Sequence, residues 1–236
     1  MAITKTESHE FRVAGVPRLA IRNFAGNVTL AAGPAGQVLV RVTKRVRGIL
    51  GTADDADLEK IRVTAEQRDD TITVEAEVRN HAAFMRSVSV DMEITVPAEA
   101  ALDLRLNAGN TDISGIHGAI NAKVNAGNLE LRGVTLATGS DLTCNAGNLT
   151  FRGSLAPGAS FDAAVNAGNM RLHLPRGTGA HLDARTHAGS IDVSGFPVNV
   201  TRRFAQQTAS GALGAEPHGT ITLRVDAGNI TLDATE

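Results

Sequence analysis

Three acidic residues, Asp112, Glu130 and Asp192, recur at one position of a repeated strand pattern, where stacked strands would set them on a single outward row. Adjacent strands would put Asp112 and Glu130 about 5 Å apart, the separation of a retaining glycosidase pair. Thr150 and Arg171 interrupt the row. No substrate-stacking aromatic accompanies it, and a mixed solvated face accounts for it as well as chemistry does. His117, His173, His181 and His187 are not at metal-ligand spacing, and the single Cys144 occupies an inward position. No Gly-x-Ser-x-Gly elbow is present. Calcium β-rolls repeat Asp every nine residues, whereas the repeat here carries Asn and is twice as long. An ice-binding face would need an unbroken Thr row, and Thr29, Thr150 and Thr231 alternate with charged residues. These patterns assign no catalytic, cofactor-binding or metal-binding residue, and they point to a non-enzymatic protein.

Composition narrows the partners. The 236 residues are 42% hydrophobic, with 23 Lys and Arg against 25 Asp and Glu and a net charge of −2. That balance offers no general attraction to nucleic acid or to anionic membranes. The short basic clusters Lys44-Arg45-Val46-Arg47 and Arg202-Arg203 read as solvated strand faces. Trp and Tyr are absent, which removes the flat platforms that sugar and single-strand nucleic-acid sites use. One cysteine forms no intramolecular disulfide. Glu7, His9, Glu10 and Arg12 break the apolar stretch a signal peptide needs, and no window approaches 18 apolar residues. The expectation is a cytoplasmic protein without a membrane span.

The elements that would position any of these residues are repeats. Asn-Ala-Gly-Asn occurs at 107–110, 125–128, 145–148 and 166–169, with near copies beginning at Phe24, His187 and Asp226. From Gly109 the glycines step by 18, 20, 21 and 21 residues to Gly189. The next gap, to Gly228, is 39, and the gap from Gly26 to Gly109 is 83. The long gaps read as about two and about four coils, with Asp69-Asp70 as a degenerate corner. Apolar residues alternate on both flanks of each motif, for example Leu142 and Cys144 before Gly147 and Leu149 and Phe151 after it. That alternation is the strand signature. Glycine supplies positive φ at a sharp corner, and the Ala before it is small enough for the inside of a corner. Stacked corners align Asn107, Asn125, Asn145 and Asn166 on one ladder and Asn110, Asn128, Asn148 and Asn169 on another, with amides bonding to one another.

The fold expectation is therefore all-β: a β-solenoid or β-helix of roughly 20-residue coils with a broader N-terminal β region. It forms one domain over 1–236, with 1–100 as an irregular, partly antiparallel cap region and 101–236 as regular coils. Strands are expected at 10–14, 18–24, 27–31, 37–47, 60–66, 71–79, 86–96 and 101–106, with a short helix over 52–60 capped by Thr52. Residues 197–219, with Pro197 and Pro217, read as an excursion. The final coil, Asn229 to Ala234, is expected to present unpaired strand edges.

The A-G-N-hydrophobic-x-hydrophobic unit, the segment Phe24-Ala25-Gly26-Asn27-Val28-Thr29-Leu30 and the I-T-V-P sequence at Ile94 to Pro97 resemble the bacterial "putative adhesin" family of β-strand-repeat proteins. The resemblance covers nearly the whole chain and implies a β-helix-like fold with no catalytic residues to carry over. The function that follows is a binding or adhesin-like module holding a protein or polymer partner on a flat face. The alternatives are a cytoplasmic scaffold that self-assembles as a homo-oligomer through its terminal coil and, more weakly, a polysaccharide-active enzyme on a β-helix.

Overall fold

The computed structural model describes residues 2–48, 55–78, 86–204, 206–215 and 218–236. Its N-terminal part contains β1 (Ala2–Arg12), β2 (Arg18–Asn23), β3 (Val28–Gly33), β4 (Gln37–Gly48), the helix α1 (Asp55–Glu59), β5 (Ile61–Arg68), β6 (Thr71–Val78) and β7 (Arg86–Pro97). The repeats follow as β8 (Ala101–Ala108), β9 (Thr111–Ser114), β10 (His117–Gly118), β11 (Ile120–Ala126), β12 (Leu129–Leu136), β13 (Ser140–Ala146), β14 (Leu149–Leu155), β15 (Phe161–Ala167) and β16 (Met170–Pro175). The chain closes with β17 (Ala180–Ala188), β18 (Ile191–Ser194), β19 (Asn199–Arg203), β20 (Gln206–Ala212), β21 (Gly219–Ala227) and β22 (Ile230–Thr235).

Among the described residues these strands build two 11-stranded sheets. The first runs β1-β4-β7-β3-β9-β12-β14-β16-β22-β18, with β10 beside β12, and the second runs β19-β20-β17-β21-β15-β13-β11-β8-β2-β6-β5. Each repeat contributes one strand to each sheet and turns between them at its Ala-Gly-Asn corner, so parallel neighbours stack coil on coil. The result is a β-solenoid-like fold. Strand periodicity explains the burial: Leu131, Leu142, Cys144, Leu149, Phe151 and Val165 are all buried, and Arg171 between them is exposed. Glu130 and Thr150 also face outward but are half-buried. Phe151 packs at a tilt against Phe161 from the facing sheet, ring centroids 5.8 Å apart.

The long gaps in the repeat do not hold two and four regular coils. Gly26 and Gly109 lie on adjacent coils, because β2 pairs directly with β8 and β3 with β9. Between them, β6 and β7 continue the stack in parallel beyond β2 and β3, and antiparallel strands extend both sheets further: β4 beside β7, β1 beside β4, and β5 beside β6. Asp69-Asp70 is the turn of the last hairpin, not a corner of the solenoid, and the Asp70 carboxylate accepts from the amides of Ala14 and Gly15. The first strand begins at Ala2 rather than at residue 10, since its length is fixed by pairing with β4. The helix spans Asp55–Glu59, and its expected Thr52 cap lies outside the described residues, as does Pro217.

The final coil is interior. β22 lies between β16 and β18, and β21 lies between β15 and β17. The expectation of an unpaired C-terminal coil is therefore overturned: parallel partners satisfy both of its edges. The sheet ends belong to β1 and β18 in the first sheet and to β5 and β19 in the second.

Cys144 tests the register of the core. Its Sγ lies 3.2 Å from the Gly127 carbonyl oxygen, and burial raises the thiol pKa above its ordinary value. Thiolate is the reactive form. The native protein is therefore expected to react with a thiol reagent at pH 8 far more slowly than the urea-unfolded chain. Equal rates would mean that the strand register is shifted by one residue.

Candidate functional site

The corners set the most regular surface of the molecule. Ala108, Ala126, Ala146 and Ala167 are exposed at them, not tucked inside as their size suggested. The glycine takes the inner place. A Cβ on Gly127, Gly147 or Gly168 would run into the carbonyl oxygen of the glycine one coil before it. Asn side chains then stack on either side of this column.

In one ladder, Asn125, Asn145 and Asn166 each donate Nδ2 to the Oδ1 of the preceding member, at 2.9, 2.8 and 3.1 Å. Asp226 and His187 extend that row, with His187 Nδ1 3.0 Å from Asp226 Oδ1. The second ladder runs Asn27, Asn110, Asn128, Asn148, Asn169, Asn229 and ends at Ser190. It begins on Asp91, whose Oδ1 accepts from the Asn27 amide. Asp91 lies in no repeat motif, so no pattern in the sequence marks it.

From Asn110 to Asn169, each Oδ1 in the second ladder accepts twice, from the backbone N–H and from Nδ2 of the next Asn. A primary amide has two N–H donors. Asn128, Asn148, Asn169 and Asn229 therefore each keep one to offer outward, repeated at the strand spacing of about 4.8 Å.

Beside this ladder, the outward face of the first sheet carries the row Thr29, Asp112, Glu130, Thr150, Arg171, Thr231 and Asp192. The structure brings Asp112 and Glu130 onto adjacent strands, as the spacing predicted, and leaves Asp192 apart. Arg132 lies between the pair, 2.8 Å from Asp112 Oδ1 through Nη2 and 2.8 Å from Glu130 Oε1 through Nε. Its pKa is raised, first by the hydrogen bond to Glu130 and then by the charge of Asp112. The guanidinium thus fills the gap that a glycosidic bond would have to enter. A shallow groove of about 450 Å³ follows the row and is lined by Asn148, Thr150, Asn169, Arg171, Asn229 and Thr231.

The remaining candidate residues are dispersed. His117 approaches Glu99 at 3.4 Å and His173 approaches Asp233 at 3.6 Å, while His181 is exposed on β17. Burial lowers the His173 pKa, helped by Arg152 and Arg171 and opposed by Asp233. Among the described residues no three His, Cys, Asp or Glu side chains gather to hold a metal ion.

The basic cluster at 44–47 divides. Lys44 turns inward, buried, onto Glu7 at 3.0 Å, contrary to its reading as part of a solvated face, and its hydrogen bond lowers the Glu7 pKa. Arg45 reaches Asp91 at 3.2 Å on the outer face. A second cavity of about 600 Å³ lies under α1 next to Lys44, but that ammonium already has its partner. Arg202 and Arg203 are exposed on β19. Among the described residues no helix is long and apolar enough to cross a membrane.

Residues 35–211 match the family model described as Toastrack DUF4097. Among solved structures, a putative cell adhesion protein from Clostridium sporogenes is similar over 98% of this chain and 100% of its own, with a TM-score of 0.54 at 11% identity. A putative adhesin from Bacteroides fragilis aligns over 97% of each chain with a TM-score of 0.42 at 14% identity. The first likeness shows the shared fold, and at that identity it assigns no residue a role. No curated protein matches the sequence.

Proposed function

This chain belongs to the Toastrack DUF4097 family, and on that premise we propose that it is a non-catalytic, adhesin-like binding module. Its partner is an extended chain rich in hydrogen-bond acceptors, a polymer or a protein segment, laid along the groove beside the second Asn ladder. The observation that carries this reading is the column of unspent amide N–H groups on Asn128, Asn148, Asn169 and Asn229, flanked by Thr150, Thr231 and the cation of Arg171. Donors repeated at strand spacing suit a partner with acceptors repeated along its length. The name of the Clostridium relative, a putative cell adhesion protein, points the same way. The shared Arg132 between Asp112 and Glu130 supports the non-catalytic half. Placement in the cytoplasm belongs to the same proposal, and recovery of the protein in a secreted or membrane fraction would remove that part.

The test is binding to an array of acidic and neutral polysaccharides and extended peptides, comparing wild type with Arg171→Ala/Thr231→Ala. Both side chains face outward and leave the ladder intact. Binding is expected to weaken by about tenfold or more, since one charge-assisted hydrogen bond contributes roughly 1.5–3 kcal/mol. Undiminished binding by the variant would overturn the groove as the contact surface. Turnover of any polymer, abolished by Asp112→Asn or Glu130→Gln, would overturn the non-catalytic reading.

A further inference from the structure

The order of coils along the chain differs from their order in space. Coil 161–175 is followed in sequence by coil 180–194, yet coil 219–235 lies between them in both sheets. Residues 176–179 between β16 and β17 therefore cross two strand spacings. Connectors of similar length, 137–139 and 156–160, cross only one.

The two walls of this slot also fit each other. Gly168 and Gly189 are 21 residues apart, the same step as Gly147 to Gly168. Phe161 and Leu182 are both in register with Ile221, and Ala163 and Ala184 with Leu223. Met170 and Ile191 both pair with Ile230, and Leu172 and Val193 with Leu232. Each wall therefore presents to the inserted coil the residues it would present to the other wall. The hydrogen bonds are interchangeable too. Gly168 N donates to Ala227 O, and Gly228 N donates to Ala188 O, so with the insert withdrawn Gly168 N meets Ala188 O in the same geometry. Likewise Asn229 N donates to Asn169 Oδ1 and Ser190 N to Asn229 Oδ1, so Ser190 N can take the Asn169 acceptor.

We propose that coil 219–235 is exchangeable, and that the slot between coils 161–175 and 180–194 accepts the same coil from a second copy of this chain. Withdrawing a coil normally exposes two apolar faces to water. Here the walls close on each other, apolar residue on apolar residue, so the walls stay covered and only the withdrawn coil's own core residues, such as Ile221, Leu223 and Leu232, are exposed until it inserts. β20 stays attached to β17 throughout, because its antiparallel pairing does not involve the insert. The coil is joined to the rest of the chain only through the connection from β20, which ends at Ala212, to β21, which begins at Gly219. Insertion into a partner restores every bond the coil makes at home, which is the condition under which swapping costs little.

Two single-cysteine versions of the full chain test this, both in a Cys144→Ala background: His173→Cys and Asp233→Cys. These residues are register partners on β16 and β22. When the two are mixed and oxidised, a disulfide-linked heterodimer is expected to grow with incubation time and to exceed several-fold the dimer that each variant forms alone. The chain carrying both cysteines should close internally, which confirms the pairing. No heterodimer above the single-variant background, with the double variant closing, overturns the proposal. Where the double variant does not close, amide hydrogen exchange of the wild type decides. Faster exchange in β21 and β22 than in β15 and β17 sustains the proposal, because the closed slot protects the walls. Equal protection overturns it.

Discussion

Gly147→Val is expected to lower stability by about 3 kcal/mol or more, at the upper end of the costs of backbone strain with a steric clash added. Two effects combine at this corner. Gly147 has φ of 141°, which a β-branched residue rarely adopts, and its Cβ would meet the Gly127 carbonyl oxygen directly. Gly133→Ala separates them. Gly133 has φ of 60° with nothing within 4 Å of a new Cβ, so strain alone acts and the loss is expected to stay at about 1 kcal/mol. Urea denaturation of the two variants beside the wild type makes the comparison. We infer from the continuous buried cluster, which runs from Val13 to Leu232, that the chain unfolds as one domain, so the difference should be read on a single transition. Equal losses would mean that coil stacking at the corner contributes nothing beyond backbone conformation.

Much of this corner was legible in the sequence. Four copies of one tetrapeptide, flanked by period-2 apolar residues, determine a corner, a strand on each side and the faces of both strands. They also place Asn on two rows that the structure joins by side-chain bonds. The order of coils was not legible, for a physical reason. A distance of 83 residues between glycines is equally compatible with four stacked coils and with an excursion that returns to the next slot. Only cross-strand pairing distinguishes them, and β2 meeting β8 leaves no trace in either strand alone. Asp69-Asp70 is ambiguous for the same reason, since a hairpin turn and a solenoid corner share turn-forming residues.

Arg132 is the instructive omission at the candidate site. It follows Glu130 by two residues on a strand, so both point to one face, and Asp112 lies diagonally across on the adjacent strand. Diagonal neighbours are within reach of a long side chain. The bridge that closes the carboxylate pair could therefore have been derived from the register already in hand. Asp91 could not, because its place at the head of the ladder depends on the hairpin excursion that brings β7 alongside β3.

Leu232→Lys is expected to destabilise the protein by about 4 kcal/mol or more, the sum of a lost core leucine and a buried, unpaired ammonium. On an edge strand the same change would be mild, since a lysine there can turn its charge to water. In this structure Leu232 is fully buried and registers with Leu172 on one side and Val193 on the other, leaving no route to solvent. The outward neighbour Thr231→Lys changes the same strand by a charge of the same sign and should stay within about 0.5 kcal/mol of wild type. Chemical denaturation reads both variants, and light scattering on the folded fraction reads assembly. A tolerated Leu232→Lys would mean that coil 219–235 sits at an open end after all. A severe loss confined to Leu232 places that coil inside the stack, and it directs any search for end-to-end contacts to β1, β5, β18 and β19, where the two sheets terminate.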